Sequence, residues 1–483
     1  MTAPPNRADA APAWQDAPAA EIPWQSLAVL VCGAGRSGTA AAEVLLRAGA
    51  HVQVVDAGDV DPQRVAALRA LGASVSVGEG ARHHPHHADL VVTSPGWRPD
   101  HPLLTAAARA GIPVWGEVEL AARFTRAETR WLAVTGTNGK TTTTEMLAAM
   151  LQTAGLRSAA AGNIGAPAVA AVTSDPPPEW LAVELSSFQL HWSPSIRPRA
   201  SVVINVAPDH LDWHGGLAAY AAAKARVFST LDADGVAVVN VDDAAAVALA
   251  DAVPSGTRTV AVTLGEPRAG QLGVEGGALV DRAFATAERI CAVDELGAPA
   301  PHNLTNALCA AALARVADVP TSAIARALRD YRTGAHRLAL VATIDDVRYV
   351  DDSKATNPHA AGRALAAFDH VVWIAGGLNK DLRFDDLIAD SRDRLRAAVL
   401  IGQCRDELRD ALTRGAPDVP VVYADSLHTA VVSAQSLAVR GDTVLLAPAA
   451  ASMDMFRDYA ERGDSFARAV SSLAAEHQMR ARS

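Results

Sequence analysis

The run from Thr135 to Thr142 has the residue types and spacing that hold a chain of phosphates. It follows the apolar residues 131–134, which predict a strand, and precedes residues 143–151, which predict a helix. Glycines let backbone N–H groups turn toward phosphate oxygens, the helix N-terminus adds the positive end of its dipole, and a lysine reaches the terminal phosphates. A threonine hydroxyl can bind Mg²⁺. The sequence therefore predicts a nucleoside triphosphate site formed by Gly136, Thr137, Asn138, Gly139, Lys140, Thr141 and Thr142.

This loop departs from a standard P-loop at one position. Val134 stands where that motif has its first glycine, so the loop is a shortened form. The alternative interpretation is a Gly-Asn turn that caps an ordinary helix. The strand, the loop, the Lys-Thr pair and the helix together favour the phosphate site.

Polar residues at the ends of two further predicted strands could complete the site. Residues 180–183 predict a strand that ends at Glu184, and residues 201–204 predict a strand that leads to His210. A carboxylate at a strand end is a suitable oxygen ligand for Mg²⁺ on nucleotide phosphates, and both strand ends fit one active face. The alternatives are a helix-capping or surface acid for Glu184 and a packed loop histidine for His210.

A second glycine-rich turn lies near the start of the chain. Residues 27–32 predict a buried strand, the turn Gly33-Ala34-Gly35-Arg36-Ser37-Gly38 follows it, and Asp56 stands about 20 residues further on. This pattern resembles a dinucleotide fingerprint, but the same geometry binds any diphosphate, so NAD and a nucleotide sugar both remain open. Another predicted strand runs into a tight turn at Ser94 and Gly96, on the edge where a ligand is expected.

Two lysines and a serine follow predicted strands in the last third of the chain. A strand over residues 347–350 leads to Lys354, a strand over residues 371–375 leads to Lys380, and a strand over residues 443–447 leads to Ser452. In an acidic protein, lysines at such edges favour recognition of a carboxylate or a phosphate, and surface solvation is the alternative.

The elements that must position these residues form three blocks of alternating strands and helices. The chain has 483 residues, half of them apolar, which is enough for about three domains. We predict an α/β protein in which residues 1–23 form a disordered tail and residues 24–118 a Rossmann-like domain. A central P-loop ATPase domain with a parallel-rich sheet is predicted over residues 119–333, and a C-terminal dinucleotide-fold-like domain over residues 334–483.

Composition restricts the possible functions. With 43 basic and 53 acidic residues the net charge is −10, which argues against a broad nucleic-acid surface. No apolar run approaches the ~20 residues of a membrane helix, and the scattered cysteines favour reduced thiols in a cytoplasm. A histidine cluster at residues 83–87 could bind a metal, but Pro85 breaks its spacing and favours a solvated loop.

Eight segments together resemble the Mur ligase family. In chain order they are GTNGKTT, GNIG, ELSSFQL, DHLDWHG, HNLTNALCA, DDSKATNP, GGLNKD and APAAASMDMF, and they span nearly the whole chain after residue 25. The shortened phosphate loop is the usual form in that family. The DSKATNP segment resembles the members that add D-glutamate, because their sister ligases typically carry a tyrosine and histidine version of it.

The resemblance implies roles for residues at matching positions. The UDP and sugar pocket is implied for Gly35, Arg36, Ser37, Asp56, Ser94 and Gly96. Binding of ATP phosphates and substrate is implied for Lys140, Thr141, Asn163 and His210, and two Mg²⁺ ions for Thr141, Glu184, His210 and Lys224. Contacts to adenine and ribose are implied for Asn303, Asn306, Arg337 and Asp352. The D-glutamate pocket is implied for Lys354, Thr356, Lys380, Ser452 and Tyr459, of which Tyr459 replaces an expected phenylalanine.

The resemblance also implies a chemistry, in which Lys140, Glu184, His210 and Lys224 are catalytic. An ATP-dependent amide ligase would activate the carboxylate of UDP-N-acetylmuramoyl-L-alanine as an acyl phosphate, which the amine of D-glutamate then attacks. Lys224 matches a lysine that family members carbamylate, so its site must favour the uncharged amine that reacts with CO₂. The resemblance implies a cytoplasmic enzyme of peptidoglycan precursor synthesis. We expect it to be a monomer and to bind neither nucleic acid nor a membrane.

Three other functions compete with this interpretation. An NAD-dependent oxidoreductase would explain the first glycine-rich turn but would leave the phosphate loop unused. A nucleotide-binding regulator would keep the loop but would not need Lys354, Lys380 and Ser452 together. A folylpolyglutamate synthetase would carry a folate pocket in place of the turn from Gly33 to Asp56.

Overall fold

The computed structural model describes residues 12, 14–58, 60–78, 87–297, 301–332, 334–379 and 382–482, with the side chains of 301 and 478–482 excepted. Within these residues the chain forms two compact units, Met1–Val206 with Ala218–Tyr331, and Ala207–Leu217 with Arg332–Ser483. The predicted boundary after residue 118 falls inside a helix, Glu117–Phe124. Residues 207–217, which the sequence assigned to the central domain, belong to the second unit.

The first unit opens with a parallel sheet. Its strands are β1 (Ala28–Cys32), β2 (His51–Asp56), β3 (Ser74–Val77), β4 (Leu90–Thr93) and β5 (Val114–Gly116). Their order is β3-β2-β1-β4-β5, and each neighbouring pair is parallel. The helices are α1 (Arg36–Arg47), α2 (Pro62–Ala70), α3 (Pro102–Arg109) and α4 (Glu117–Phe124). The predicted Rossmann-like architecture is confirmed, and the strand ends share one edge.

The second sheet of this unit carries the phosphate loop. Its strands are β6 (Arg130–Thr135), β7 (Ser158–Gly162), β8 (Trp180–Glu184), β9 (Ala200–Val203), β10 (Val236–Asn240), β11 (Arg258–Val262), β12 (Gln271–Glu275), β13 (Ala278–Asp281) and β14 (Glu288–Ala292). The order is β14-β13-β12-β11-β10-β9-β6-β8-β7, parallel from β7 to β12 and antiparallel at β13 and β14. The parallel-rich central sheet is therefore confirmed.

Helices cover both faces of that sheet. They are α5 (Lys140–Thr153), α6 (Ala168–Val172), α7 (Ser187–His191), α9 (Leu217–Ser229), α10 (Ala244–Leu249), α11 (Pro301–Val316) and α12 (Thr321–Asp330). Successive residues of β6 alternate between the two cores: Leu132 and Val134 pack in one, Trp131 and Ala133 in the other. Burial on both faces explains why residues 131–134 are apolar without a polar alternation.

The second unit contains a third sheet. Its strands are β15 (Ala339–Ile344), β16 (Val347–Asp351), β17 (Val371–Gly376), β18 (Leu395–Ile401), β19 (Val421–Tyr423) and β20 (Thr443–Leu446). The order is β15-β16-β20-β17-β18-β19, parallel except for the edge strand β15. Its helices are α8 (Leu211–His214), α13 (Pro358–Leu365), α14 (Asp385–Ser391), α15 (Arg405–Gly415), α16 (Leu427–Leu437) and α17 (Tyr459–Arg482).

Part of the predicted tail, residues 14–23, packs against the first sheet and its helices. From Trp14 onward the structure describes packed residues: the Trp14 ring lies 6.0 Å from that of Trp115, edge to face, and the Trp24 ring stacks on Phe124 at 5.4 Å. Ile22 and Trp24 are both buried. Ala and Pro dominate residues 1–23, but Trp14 within them supplies apolar area that packs against Trp115.

Candidate active site

The phosphate loop lies between β6 and α5, as the sequence predicted. Gly136 has φ 156° and Gly139 has φ 84°, conformations that glycine adopts readily. A Cβ atom on Gly139 would lie 2.3 Å from Oδ1 of Asn306, so a side chain there would displace the asparagine. Thr141 and Thr142 lie in the first turn of α5. This tight cradle at a helix N-terminus fits the phosphates of a nucleotide.

Asn205, which follows β9, holds the loop through its side chain and backbone. Its Oδ1 accepts a hydrogen bond from Asn138 N (2.9 Å), and its Nδ2 donates to Asn138 O (3.0 Å). Its carbonyl also accepts from Thr137 N (2.9 Å). The sequence analysis did not include Asn205 among the site residues, although it follows a buried strand just as Glu184 does.

Two lysines donate hydrogen bonds to one carbonyl oxygen of the loop. Lys140 Nζ donates to Gly136 O (3.0 Å) and to Thr137 O (2.9 Å). Lys224 Nζ, from α9, donates to Gly136 O at 2.7 Å, and Lys224 is only 1% exposed. The structure thus brings the predicted catalytic lysines together, and Lys224 is buried.

Tyr220 connects Lys224 to the loop. Its ring centroid lies 4.5 Å from Lys224 Nζ, and its hydroxyl is hydrogen-bonded to Thr137 Oγ1 (3.0 Å). Sequence reasoning missed Tyr220, but its position four residues before Lys224 on one helix places both on the same face.

Glu184 and Asn163 form a hydrogen-bonded pair beside β6. Asn163 Nδ2 donates to Glu184 Oε1 (2.7 Å), and Asn163 N donates to Glu184 O (2.9 Å). Glu184 is 1% exposed, and its Oε2 has no hydrogen-bond partner in the part of the chain that the structure describes. A buried carboxylate oxygen without a donor is costly unless a cation binds it, so this pair fits a Mg²⁺ ligand and the residue that orients it.

Asn303 and Asn306 are buried on α11, which packs against α5. Asn306 Nδ2 donates to Asn303 Oδ1 (3.3 Å), and Asn306 Oδ1 lacks a donor among the described residues. Because this oxygen faces Gly139, the structure places at least one of the residues implied for adenine and ribose against the phosphate loop.

His210 belongs to the second unit, whereas Lys140, Glu184 and Lys224 belong to the first. It has φ 52°, a conformation uncommon for a residue with a side chain. Its Nε2 lies 3.7 Å from Asp209 Oδ2, which accepts a hydrogen bond from Asn357 Nδ2 (3.3 Å). Within its unit, His210 is therefore linked through Asp209 to the DSKATNP segment.

The first glycine-rich turn is built for close approach of backbone atoms. A Cβ on Gly38 would lie 1.8 Å from Gly33 O, so α1 can pack on the turn only with glycine there. Asp56 Oδ2 accepts a hydrogen bond from Ala34 N (2.7 Å), and Ser94 Oγ is buried without a partner among the described residues. The structure therefore brings Gly35, Arg36 and Ser37, at the start of α1, to the same edge as Asp56 and Ser94.

Lys354 and Tyr459 meet in the second unit. Lys354 Nζ lies 3.8 Å from the centroid of the Tyr459 ring, and Tyr459 O accepts a hydrogen bond from Ser353 Oγ (2.7 Å). The ring therefore provides a cation–π contact for the lysine. Buried Arg462, which the sequence analysis missed, donates to Ser353 Oγ (3.0 Å) and Ser353 O (2.9 Å), and so fixes the same loop.

Of four further residues predicted for the amino-acid pocket or the ribose, the structure describes three. Asp352 Oδ1 accepts from Leu338 N (3.1 Å), and burial raises the pKa of its carboxyl to about 7 although part of the residue remains exposed. Thr356 N donates to Lys354 O (2.9 Å), and Ser452 is buried. Lys380 lies outside the described residues.

Two further expectations concern metals and membranes. His83, His84 and His86 lie outside the described residues, and the described residues contain no cluster of three or more His, Cys, Asp and Glu side chains able to hold a metal. Among the described helices, none is long and apolar enough to span a bilayer.

Three family models match successive parts of the chain. They are the Mur ligase MurD-like N-terminal domain over residues 27–116, the Mur ligase middle domain over 134–314, and the Mur ligase glutamate ligase domain over 336–450. The chain belongs to the Mur ligase family. It is 60% identical over 454 residues to a UDP-N-acetylmuramoylalanine--D-glutamate ligase of Frankia casuarinae, a match covering 93% of this chain and 95% of the relative. A ligase of the same name from Streptomyces avermitilis is 53% identical, over 94% and 99%.

Solved structures of Mur ligases share the fold. UDP-N-acetylmuramate-alanine ligase MurC from Thermotoga maritima matches with a TM-score of 0.57 and 19% identity, over 92% of this chain and 99% of that one. MurF from Acinetobacter baumannii matches with a TM-score of 0.58 and 16% identity, over 92% and 93%. At these identities the likeness concerns the fold alone, which is the Mur ligase fold.

Proposed function

We propose that this Mur ligase uses ATP to join D-glutamate to UDP-N-acetylmuramoyl-L-alanine in peptidoglycan precursor synthesis. The observation that carries the proposal is the adjacency of a tight phosphate loop and a buried carboxylate with one unpaired oxygen. Strands β6 and β8 pair with Val134 opposite Glu184, so the loop and Glu184 leave neighbouring strand ends. The near-full-length relatives named as D-glutamate ligases support the choice of substrates.

The reaction requires activation because a carboxylate does not react with an amine in water. The L-alanine carboxylate attacks the γ-phosphorus of ATP, the bond to the β,γ-bridging oxygen breaks, and ADP leaves with an acyl phosphate as the product. The D-glutamate amine then attacks the acyl carbon; the tetrahedral adduct expels phosphate, and the nitrogen loses a proton. Positioning and electrostatic stabilisation supply most of the acceleration.

Lys140 is placed to stabilise the charge that develops on the phosphates. Its ammonium group already lies over the loop carbonyls, so a small change of rotamer would direct it to a bound phosphate. The residues that would hold Mg²⁺ are Thr141, Glu184, His210 and a carbamylated Lys224. Bound Mg²⁺ supplies neutralisation of the phosphate oxygens. We propose that these four residues hold two Mg²⁺ ions.

Carbamylation of Lys224 is favoured by its surroundings. A buried ammonium group loses its hydration, and the neighbouring Lys140 ammonium repels it, so both effects favour the neutral amine. The neutral nitrogen can attack CO₂, forming an N–C bond and losing a proton to give a carbamate. The new anionic group would be attracted to Lys140 and could bind Mg²⁺ as a carboxylate does.

The D-glutamate pocket is assigned to the second unit. The Lys354 ammonium group, which lies over the Tyr459 ring, is proposed to bind a carboxylate of D-glutamate. Thr356, Ser452 and Lys380 complete the proposed pocket, and Arg337 and Asp352 are proposed to contact the ribose. The UDP moiety is assigned to the edge that carries Arg36, Ser37, Asp56 and Ser94.

All four cysteines are free thiols, which supports a location in a reducing cytoplasm. We further expect the protein to be a monomer.

Phosphate release from ATP tests the proposal directly. The enzyme is incubated with UDP-N-acetylmuramoyl-L-alanine and, in separate reactions, with D-glutamate, L-glutamate, L-lysine or diaminopimelate. We expect release that depends on both substrates and only on D-glutamate among the amino acids, together with one ligated product by mass spectrometry. Turnover with L-lysine or diaminopimelate but not with D-glutamate would contradict the assignment.

A further inference from the structure

Glu117, the first residue of α4, is a buried acid that the proposed reaction does not use. It is 2% exposed, and its Oε1 accepts a hydrogen bond from Val169 N at 2.7 Å. Its Oε2 is buried and has no hydrogen-bond partner within the described ranges. Burying a carboxyl with one unsatisfied oxygen costs free energy, so this position has a use that an apolar residue would not serve.

The backbone that Glu117 holds is the exit of the GNIG turn. Val169 lies in α6, which begins three residues after Gly165, and Pro167 at its N-cap position provides no side-chain cap. Glu117, which follows β5 of the first sheet, therefore supplies the acceptor that the local sequence lacks.

The same turn orients the proposed metal ligand. Gly162 N donates to Ala166 O (3.0 Å), which closes the turn, and Asn163 inside it donates to both Oε1 and the carbonyl of Glu184. A Cβ on Gly162 would lie 2.3 Å from Glu184 O, so the turn and the end of β8 are in close contact. A shift of α6 would move Asn163 and, with it, the carboxylate of Glu184.

Arg36 contacts the same turn from another direction. Arg36, at the start of α1, donates a hydrogen bond to Gly165 O. Helices α1 and α4 both pack against α6. Arg36, from the glycine-rich turn, and Glu117, which follows β5, thus hold the segment between Gly165 and Val169 from two sides.

We propose that Glu117 is a positioning residue that sets the Asn163–Glu184 pair through α6, and that it thereby determines how well the site binds a divalent cation with a nucleotide. The proposal rests on the function proposed above. It also gives a role to the contact between the two sheets of the first unit. Residues next to the sheet of β1 to β5 support the proposed metal ligand Glu184, which lies at the end of β8 in the other sheet. Residues hydrogen-bonded to a metal ligand, as Asn163 is to Glu184, commonly change metal affinity by roughly 10–100-fold when replaced. Because Glu117 acts through Asn163, we expect the lower end of that range for its loss.

Two variants of similar size separate positioning from packing. Glu117→Gln keeps an acceptor for Val169 N, whereas Glu117→Met fills the same space without one. Glu117→Met leaves Val169 N without its side-chain acceptor, which costs about 1–3 kcal/mol. Folded proteins are commonly stable by about 5–15 kcal/mol, so the Met variant is expected to fold. Glu119→Met is the matched control, because Glu119 is buried on the same helix but contacts Arg123 and Ser195 instead.

The primary measurement is Mn²⁺ binding in the presence of ADP, read from the electron paramagnetic resonance signal of free Mn²⁺. We expect Glu117→Met to weaken Mn²⁺ binding at least about tenfold and Glu117→Gln to stay within about threefold of the wild type. Glu119→Met is expected to lower Tm without changing Mn²⁺ affinity. Because Glu117 acts through Asn163, adding Glu117→Met to Asn163→Ala should weaken binding little further.

Mn²⁺ affinity of Glu117→Met equal to that of the wild type, or fully additive losses in the double variant, would overturn the proposal and leave Glu117 a packing residue. Absence of D-glutamate-dependent phosphate release by the wild type would instead refute the proposed function. The two failures are distinguishable because Mn²⁺ binding with ADP requires neither D-glutamate nor the UDP substrate.

Discussion

Lys140 and Lys224 donate hydrogen bonds to the same oxygen atom, the carbonyl oxygen of Gly136. Their nitrogens therefore lie within ~6 Å of each other, where two ammonium groups repel by on the order of 2–3 kcal/mol at an intermediate effective dielectric constant. A carbamate on Lys224 would turn this repulsion into attraction. The relationship is a physical argument for the carbamylation of Lys224 that we propose.

Variants of Lys224 test whether a carboxylate or a cation is needed at this position. We expect both Lys224→Ala and Lys224→Arg to lower kcat roughly 100-fold or more, because neither can form the carbamate. Formate or acetate should partly restore the Ala variant, whose vacated space admits a small acid, but not the Arg variant. Phosphate release with and without the added acid provides the measurement. High activity of Lys224→Arg would show that the residue acts as a cation.

Asn205 offers a test of the loop itself. Asn205→Ala removes both side-chain bonds to Asn138, and we expect a loss of about 1–3 kcal/mol in stability from the buried groups left unpaired. The loosened loop should also raise the KM for ATP about tenfold, with the KM for D-glutamate unchanged. Steady-state kinetics and thermal unfolding measure the two effects.

Asn240→Ala is the control for that variant. Asn240 is also a buried asparagine, and it ends the neighbouring strand β10, but its Nδ2 donates to Ile204 O rather than to the loop. We expect a loss of stability without a change in the KM for ATP. If both variants raise that KM equally, the effect of Asn205 is general destabilisation and not loop positioning.

Local sequence patterns predicted the parts of the site that follow from strand ends and glycine turns. The sequence put the phosphate loop and Glu184 at the ends of strands, and the structure has those ends side by side because parallel strands bring their carboxyl ends to one edge. Asn205 and Arg462 were missed because each acts on a partner distant in the sequence, and so was the bond of Tyr220 to Thr137, although the spacing of Tyr220 and Lys224 was visible. No periodicity or motif encodes such a contact, which exists only after the strands and helices have assembled.

Tyr459 illustrates an intermediate case. The resemblance placed it in the amino-acid pocket, but the sequence left the role of its side chain open, since phenylalanine was expected there. The contact between its ring and Lys354 Nζ shows that the aromatic face is the feature both residue types share. Composition was least informative over residues 12 and 14–23 of the predicted tail, where the Trp14 ring packs against Trp115.

Two substitutions of Tyr459 separate its ring from its hydroxyl. Tyr459→Phe keeps the cation–π contact, so the KM for D-glutamate should stay near the wild-type value. Tyr459→Leu removes the contact, which is worth about 0.5–2 kcal/mol, and should raise that KM about 3- to 30-fold. The KM for ATP is the internal control. An equal rise for ATP would show that Lys354 and Tyr459 serve the nucleotide.

The ionisation of Glu117 makes the free energy of unfolding fall as pH rises. Burial raises the pKa of its carboxyl from 4.5 to about 7, and the hydrogen bond from Val169 N opposes that rise. Below about pH 4.5 the group is protonated in both folded and unfolded chains. Between that pH and about 7 only the unfolded chain ionises, so the wild type loses stability as pH rises, by up to about 3 kcal/mol.

Glu117→Gln cannot ionise and should not lose this stability. We therefore expect the Tm of the variant minus that of the wild type to become more positive between pH 5 and about pH 8, whatever its value at pH 5. The measurement is thermal unfolding of both proteins at constant ionic strength over that range. A difference that stays constant or becomes more negative would show that Glu117 ionises as readily in the folded chain as in the unfolded one, and that its burial carries no such cost.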